Sequence, residues 1–416
     1  MHSFVLPKGD QKQYNQQYGD MYFLRLAKLK PFVESIAADE WEDFEVAGER
    51  AQRVERVLDV RQGQLCWVVG TVYMELPLKP NILADISKDH WVAAPTPHKT
   101  YQASTEDAAV MLEDESGRLK LTGAMLKTSL LVTGVIVAVL GTENVNGEFD
   151  VLDIHVADLP RQPQRWERDD SEISLQDGMV TGHDAASRKV VLISGLNVGS
   201  PKEAAMTVSL LSEYLLGEAL GSEDQELAAK FSRLIIAGNS VSTDDIIVPP
   251  TDALDADGKK STQKKYGYDS ATYNPTPIAS FDRFLSELLP SIPITLMPGA
   301  DDPAGASLPQ QPLHPAMLPR SRAYTFPSRE HTEDQELNWF DSVTNPWDGD
   351  IEGWRLMGNS GQPVDDILKY IDVDGQDESS AESRLEVMES ILRWRCGAPT
   401  APDTLCKLEV RSKRLT

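Results

Sequence analysis

The sequence predicts two domains of different build: a small all-β barrel over residues 46–160 and an α/β domain over residues 186–416. Three observations carry that prediction. At 416 residues the chain is too long for one ordinary core. Between residues 46 and 160, short runs with strand-like patterning are closed by glycine-containing turns. Beyond a Pro-rich polar stretch, three apolar runs each end in a glycine turn and alternate with amphipathic helices. Hydrophobic content of 41 % and charged content of 25 % match a globular chain rather than a disordered or membrane-embedded one.

Taken in order, residues 1–45 form a helical segment. In "QYNQQYGDMYFLRLAKLKPFVESIA", Tyr18, Tyr22, Leu26, Leu29 and Phe32 recur at helical spacing, and Pro31 predicts a kink or break. "QLCWVVGTVYMEL" reads as a strand, and "VMLEDESGRLKLTG" as a hairpin around an acidic, glycine-containing turn. "LLVTGVIVAVL", Leu130 to Leu140, is too short to span a bilayer and is rich in β-branched residues, so it too reads as a strand. Gly134 and Gly141 mark places where a strand bends or bulges. This spacing fits a barrel of the oligonucleotide-binding (OB) type, with a sandwich as the alternative.

"LPRQPQRWERDD" is polar and Pro-rich, and residues 161–185 read as a linker. In "KVVLISGLNVGSPKE" a buried strand leads through a glycine-bounded turn to a helix, with Ser200 as N-cap, Pro201 at the first position and Glu203 closing a capping box. "FSRLIIAGNSV" and "IPITLMPGADDP" repeat the strand-then-glycine pattern after the helices "DQELAAKF" and "SFDRFLSELL". The pattern predicts a sheet covered on both faces, with any ligand at the carboxyl ends of its strands, where Gly195, Gly238 and Gly299 lie. Residues 249–277 and the segment "DVDGQDESSAESR" read as polar insertions.

Several chemistries are argued against. A net charge of −25 opposes a general affinity for the phosphate backbone, so DNA is expected to be met through partners. Cys66, Cys396 and Cys406 are far apart and form no CxxC pair. "MHSFVLPKGDQKQ" lacks a basic segment followed by an apolar one, which predicts an intracellular protein. The acidic loops at Asp255, Asp257 and Gly258 and at Asp372, Asp374 and Gly375 lack the first and twelfth calcium-loop ligands. "DGKKST" lacks the first glycine of a phosphate loop, "GLNVG" lacks the third glycine of a dinucleotide fingerprint, and no GxSxG occurs. The seven histidines form no HxH or HxxxH pair, and His314 in "LPQQPLHPAMLP" reads as a packed loop residue rather than a ligand. The barrel aromatics Trp67, Tyr73, Trp91 and Tyr101 read as core rather than as a stacking platform for single strands.

Side by side, "ISGLNVGS", "IAGNSV" and "LMPGADDP" resemble the calcineurin-like metallophosphoesterases, whose motifs are Asp-x-His, Gly-Asp and Gly-Asn-His-Asp/Glu. There, acids and histidines hold two metals that clamp the attacking and leaving oxygens of a phosphoester. Gly195 and Asn197 align with the first motif's Asp and His, and Asn239 with the second motif's Asp. Ala300 and Asp301 align with the third motif's Asn and His, so only Asp302 matches an acid. The resemblance implies a two-sheet, helix-flanked phosphoesterase-like domain with no metal and no cofactor.

A barrel joined to such a domain resembles the B-type accessory subunits of replicative DNA polymerases. "LPQQPLHPAMLP", "GNSGQPVDDIL", "APTAPDTL", "QYNQQYGDMYFLRL" and "LEDESGRLKLTG" resemble the small, regulatory subunits of DNA polymerase delta over about Gln13 to Leu405. That resemblance implies a non-catalytic nuclear scaffold in DNA replication, repair and translesion synthesis. Its implied partners are the catalytic subunit's cysteine-rich C-terminal module, the clamp-binding third subunit and the catalytic subunit of polymerase zeta. It also implies that the N-terminal helix packs on the phosphoesterase-like domain. The ending "CKLEVRSKRLT" is unlike the family's continuation and predicts a shortened or alternatively spliced end. The competing function is a metal-dependent phosphodiesterase or exonuclease with a residual site at Asp244, Asp301 and Asp302.

Overall fold

The computed structural model describes residues 4–7, 18–46, 48–79, 100–102, 108–161, 188–199, 202–219, 221–242, 274–305, 307–326, 338–351, 354–371 and 381–405. Outside these lie both candidate calcium loops, "DGKKST", Ser200, Pro201, Asp244, Trp91, Cys406 and five of the histidines: His2, His90, His98, His183 and His331. The chain divides into two compact units, one of Met1–Leu6 with Arg168–Ser360 and one of Pro7–Glu167 with Gly361–Thr416.

The second of these is the barrel unit. After helix α1 (Tyr18–Trp41) come the short strands β1 (Glu45–Val46), β2 (Glu49–Arg50) and β3 (Gln52–Arg53). The barrel strands are β4 (Cys66–Glu75), β5 (Ala109–Glu113), β6 (Arg118–Thr122), β7 (Ile136–Glu143) and β8 (Glu148–His155), with a short helix α2 (Met125–Thr128) between β6 and β7. The order is β3-β4-β5-β6-β8-β7, and β4 pairs again with β7 to close the ring. Five strands closed in this way, with β6 parallel to β8, form a Greek-key barrel of the OB type. β4 serves both neighbours by pairing with β7 over its first half and with β5 over its second. Opposite Gly141 the register slips, leaving Leu152 as the extra residue of a bulge. A Cβ at Gly141 would run into the Asp150 carbonyl, so only glycine lets the strands approach there.

The unbroken apolar run in β7 reflects burial on both faces. Val137 and Val139 point into the barrel, while Ile136, Ala138 and Leu140 point out beneath α1. From α1, Leu26, Val33, Ala37 and Trp41 meet that outer face together with Trp67 and Val69 of β4. Trp41 also donates through Nε1 to Asp153, at 3.1 Å. α1 packs on the barrel, and Pro31 does not break it, since the helix continues across that residue. An internal proline costs about 3 kcal/mol, and burial of large side chains such as Val33 and Trp41, at roughly 1.5–3 kcal/mol each, offsets it. Phe32, expected on the packed face, is 51 % exposed.

The α/β unit contains four parallel strands, β9 (Lys189–Ile193), β10 (Phe231–Ala237), β11 (Ile294–Met297) and β12 (Phe340–Ser342), in the order β12-β11-β10-β9. Helices α3 (Lys202–Leu215), α4 (Ser222–Ala228) and α5 (Thr276–Leu288) connect them. Leu234, Ile236, Ile294 and Leu296 pack with Phe281, Leu285 and Leu288 of α5 on one face. On the other face Ile235 and Met297 meet Trp347 and Ile351 of the hairpin β13 (Trp347–Ile351) and β14 (Trp354–Gly358). β9 departs from the expected buried strand: among the described strands it is an edge, with Val190 and Leu192 exposed.

By their packing, residues 361–405 belong with the barrel unit. Helices α6 (Gln362–Leu368) and α7 (Ala381–Arg393), with the turns that follow them, bring Ile367, Tyr370, Val387 and Trp394 into the barrel core. Tyr101 donates to Asp366 at 3.0 Å, and Thr404 donates to the same carboxylate at 2.6 Å. Arg25 of α1 donates to the carbonyls of Pro399 and Ala401, each at 2.6 Å, and to that of Gly134 at 3.1 Å. Trp67 and Tyr101 are core residues, whereas Tyr73 is half-buried between Lys79 and Arg118, 4.5 and 4.6 Å from its ring centre. No helix among the described residues is long and apolar enough to cross a membrane.

Candidate functional site

The positions singled out from the sequence lie at the carboxyl ends of β9, β10 and β11. Beyond the strands, the first two loops continue sheet-like bonding. Gly195 N–H donates to the Gly238 carbonyl and Asn197 N–H to that of Asn239, both at 3.1 Å, and Val198 N–H donates to that of Ser240 at 2.9 Å. Asn197 and Asn239 adopt left-handed backbone, with φ of 46° and 52°. Asparagine tolerates that conformation better than most residues with a side chain. Gly238 and Gly299 meet so closely that a Cβ on Gly238 would stand 2.7 Å from the Gly299 Cα. Glycine at both positions lets the ends of β10 and β11 touch.

Asp302 ties these loops together. Its carboxylate is buried and accepts from the backbone N–H groups of Ser240 at 2.8 Å, Val241 at 3.0 Å and Gly299 at 2.8 Å. Burial pushes its carboxyl up from the usual range, against the pull of those donors. Asn239 is likewise engaged, accepting from the Asp301 N–H at 3.2 Å. Gly195, Asn197, Ala300 and Asp301 are exposed. The structure thus brings all six predicted positions to one end of one sheet. It also separates Asp301, which faces solvent, from Asp302, whose oxygens are turned to the backbone.

A buried amide network supports the Gly299 loop. Gln310 donates to the Gly299 carbonyl at 3.0 Å and accepts from Asn345 at 2.7 Å. Asn345 also donates to the Ser360 hydroxyl at 2.6 Å. Sequence reasoning missed this network; its only linear sign is amide side chains inside otherwise apolar phrases, "LPQQPL" and "VTNPW". The phrase around it is structural, since Leu308, Leu313 and Leu318 are buried and Asp282 of α5 accepts from the Arg320 and Ser321 N–H groups, each at 3.0 Å. His314 is not packed, as expected from sequence, but exposed: its Nδ1 accepts from the Ala316 N–H at 3.1 Å and caps a short 3-10 turn.

Neither Gly195 nor Ala300 carries a side-chain donor atom, and the three loops contribute only two carboxylates, Asp301 and Asp302, among the described residues. No group of three or more His, Cys, Asp or Glu side chains among them is placed to hold one metal ion. Among the described residues, these loops do not supply a ligand set that fits a metal pair.

The two parts of the chain match two family models. One, the DNA polymerase delta subunit OB-fold domain, covers residues 17–154; the other, the B subunits of DNA polymerases alpha and epsilon, covers residues 190–414. Both models describe subunits of DNA polymerases, which places the chain in that class. The DNA polymerase delta small subunit of Arabidopsis thaliana is 35 % identical, the alignment covering 94 % of this chain and 75 % of that protein. The small subunit of Oryza sativa is 32 % identical over 95 % of this chain and 78 % of its own length. That of Saccharomyces cerevisiae is 31 % identical over 95 % and 76 %. The chain belongs to the DNA polymerase delta small-subunit family. Membership carries a role as an accessory subunit within a polymerase delta complex, in DNA replication.

Proposed function

We propose that the chain is a non-catalytic scaffold of that complex, built on a phosphoesterase-like domain whose metal ligands have been lost. One observation carries the reading: Asp302, the sole acid that aligns with an acid of the phosphoesterase motifs, is buried and holds three backbone N–H groups. Asn197 and Asn239 offer amides, which bind hard divalent ions poorly beside carboxylate or imidazole. Among the described residues of these loops Asp301 is the one exposed carboxylate, and a single carboxylate does not clamp both the attacking and the leaving oxygen of a phosphoester.

As a scaffold, the chain bridges the cysteine-rich C-terminal module of the catalytic subunit and the clamp-binding third subunit, and it serves the polymerase zeta catalytic subunit in the same way. DNA is reached through these partners, in keeping with a charge of −25, and the site of action is the nucleus. The test is co-expression with the polymerase delta catalytic subunit of the same organism, followed by gel filtration and a manganese-dependent phosphodiester hydrolysis assay. A one-to-one complex without turnover is expected. Failure to associate, or hydrolysis abolished by Asp301→Ala, overturns the reading.

A further inference from the structure

Helix α7 of the barrel unit has two apolar faces. Val387 is fully buried in the barrel core and Ile391 packs beside it. Leu385, Met388 and Leu392 point the other way and are 62 %, 52 % and 62 % exposed. The i, i+3, i+7 spacing puts these three side chains on one stripe of the helix. A lone exposed leucine needs no explanation, but three large apolar groups in register mark a surface that a partner covers.

The charges bordering the stripe say what kind of partner. At about 100° per residue, Glu382, Glu386 and Glu389 run along one flank of it. Glu389 is paired with Arg393 at 2.8 Å, and Arg393 also meets Asp158 at 2.5 Å. On the opposite flank Arg384 is held by Asp365 at 2.7 Å. Among the described residues Glu382 and Glu386 have no ion-pair partner. Among the described residues, the uncompensated charge beside the stripe is therefore negative.

We propose that the exposed stripe of α7 docks a basic amphipathic helix of a partner protein. Apolar side chains at helical spacing on that helix lie on Leu385, Met388 and Leu392, and its lysines or arginines pair with Glu382 and Glu386. A second copy of this chain fits poorly, because the same stripe would bring the same acidic row into a contact between two chains that each carry −25. The stripe belongs to the barrel unit and the strand-end loops to the other, so docking on α7 does not depend on whether those loops are catalytic.

The test uses the full chain and fluorescence anisotropy with a labelled, designed amphipathic peptide of about 20 residues, carrying leucines at i, i+3 and i+7 and lysines on one flank. Controls are the same peptide with glutamates for lysines and a scrambled peptide of equal composition. The basic peptide is expected to bind about tenfold or more tightly than either control. The double variant Met388→Gln/Leu392→Gln is expected to weaken binding about tenfold or more. Glu382→Lys/Glu386→Lys is expected to weaken it about fivefold and to favour the acidic peptide instead. All these positions are exposed, so circular dichroism and melting midpoints should be unchanged, which separates lost binding from lost folding. Absence of binding, equal binding of the scrambled peptide, or binding indifferent to both variants overturns the proposal. So does self-association, measured by sedimentation equilibrium, that Met388→Gln abolishes, since that assigns the stripe to a second copy.

Discussion

Removing the Asp302 side chain distinguishes a structural brace from a metal ligand. Asp302→Ala deletes the acceptor of three N–H groups, on Ser240, Val241 and Gly299, all of them buried. Hydrogen bonds to a charged group contribute about 1.5–3 kcal/mol each, and a buried donor left unpaired costs a further ~1–3 kcal/mol. These terms overlap and water entry relieves part of the loss, so the expected destabilisation of the α/β unit is about 3–5 kcal/mol. Asp302→Asn is milder, at about 2 kcal/mol, because one carbonyl oxygen remains for Ser240 and Val241 while the amide NH2 opposes the Gly299 N–H. Denaturant unfolding measures the totals, and residue-resolved hydrogen exchange locates them. In the Asn variant only Gly299 should lose protection; in the Ala variant Ser240, Val241 and Gly299 should lose it together. An Ala variant destabilised by less than about 0.5 kcal/mol refutes the brace. So does wild-type protein whose Ser240 and Val241 amides lose protection when manganese is added, because a carboxylate that turns to a metal must release them.

Two further outcomes follow from the barrel unit. Arg25→Lys should destabilise that unit by roughly 2–3 kcal/mol and lower its melting midpoint by about 5–10 °C, since one ammonium cannot reproduce the guanidinium fork across the Gly134, Pro399 and Ala401 carbonyls. A Lys variant that melts with the wild type contradicts this. Burial pushes the Cys66 thiol up to about 11, so at pH 8 only about one molecule in a thousand carries the thiolate. Iodoacetamide should leave Cys66 unmodified in native protein and alkylate it in denaturant, as read by peptide mass spectrometry; rapid native labelling speaks against the buried position.

The strands of the barrel were legible because each signal was local. The turn "EDESG" sits between β5 and β6, where Asp114 accepts from the Ser116 and Gly117 N–H groups at 2.7 and 3.1 Å. The apolar run of β7 marked a strand, but that both of its faces are buried, and by what, was not read from it. The cover is α1, and its face was misjudged because Phe32 and Leu26 look equally suited to a core in one dimension. Only Leu26 lies over β7. The edge position of β9 was similarly hidden, since "KVVLI" has the composition of a central strand while Val190 and Leu192 are exposed.

The sequence by itself determined the two-part build and the identity of the residues at the strand ends. Gly195 and Ala300 bring no ligand atoms in any fold, and that follows from side-chain chemistry alone. What tertiary structure decided is where α1 and residues 361–405 pack, and which of two adjacent aspartates remains available. Asp301 and Asp302 are chemically identical and neighbours in the chain, yet one faces solvent and the other is enclosed by backbone donors more than fifty residues away in sequence, at Ser240 and Val241. Periodicity records how a segment is patterned, not which distant segment completes its hydrogen bonds. That pairing is fixed only when β10 and β11 come together in parallel and their glycines allow the loops to touch.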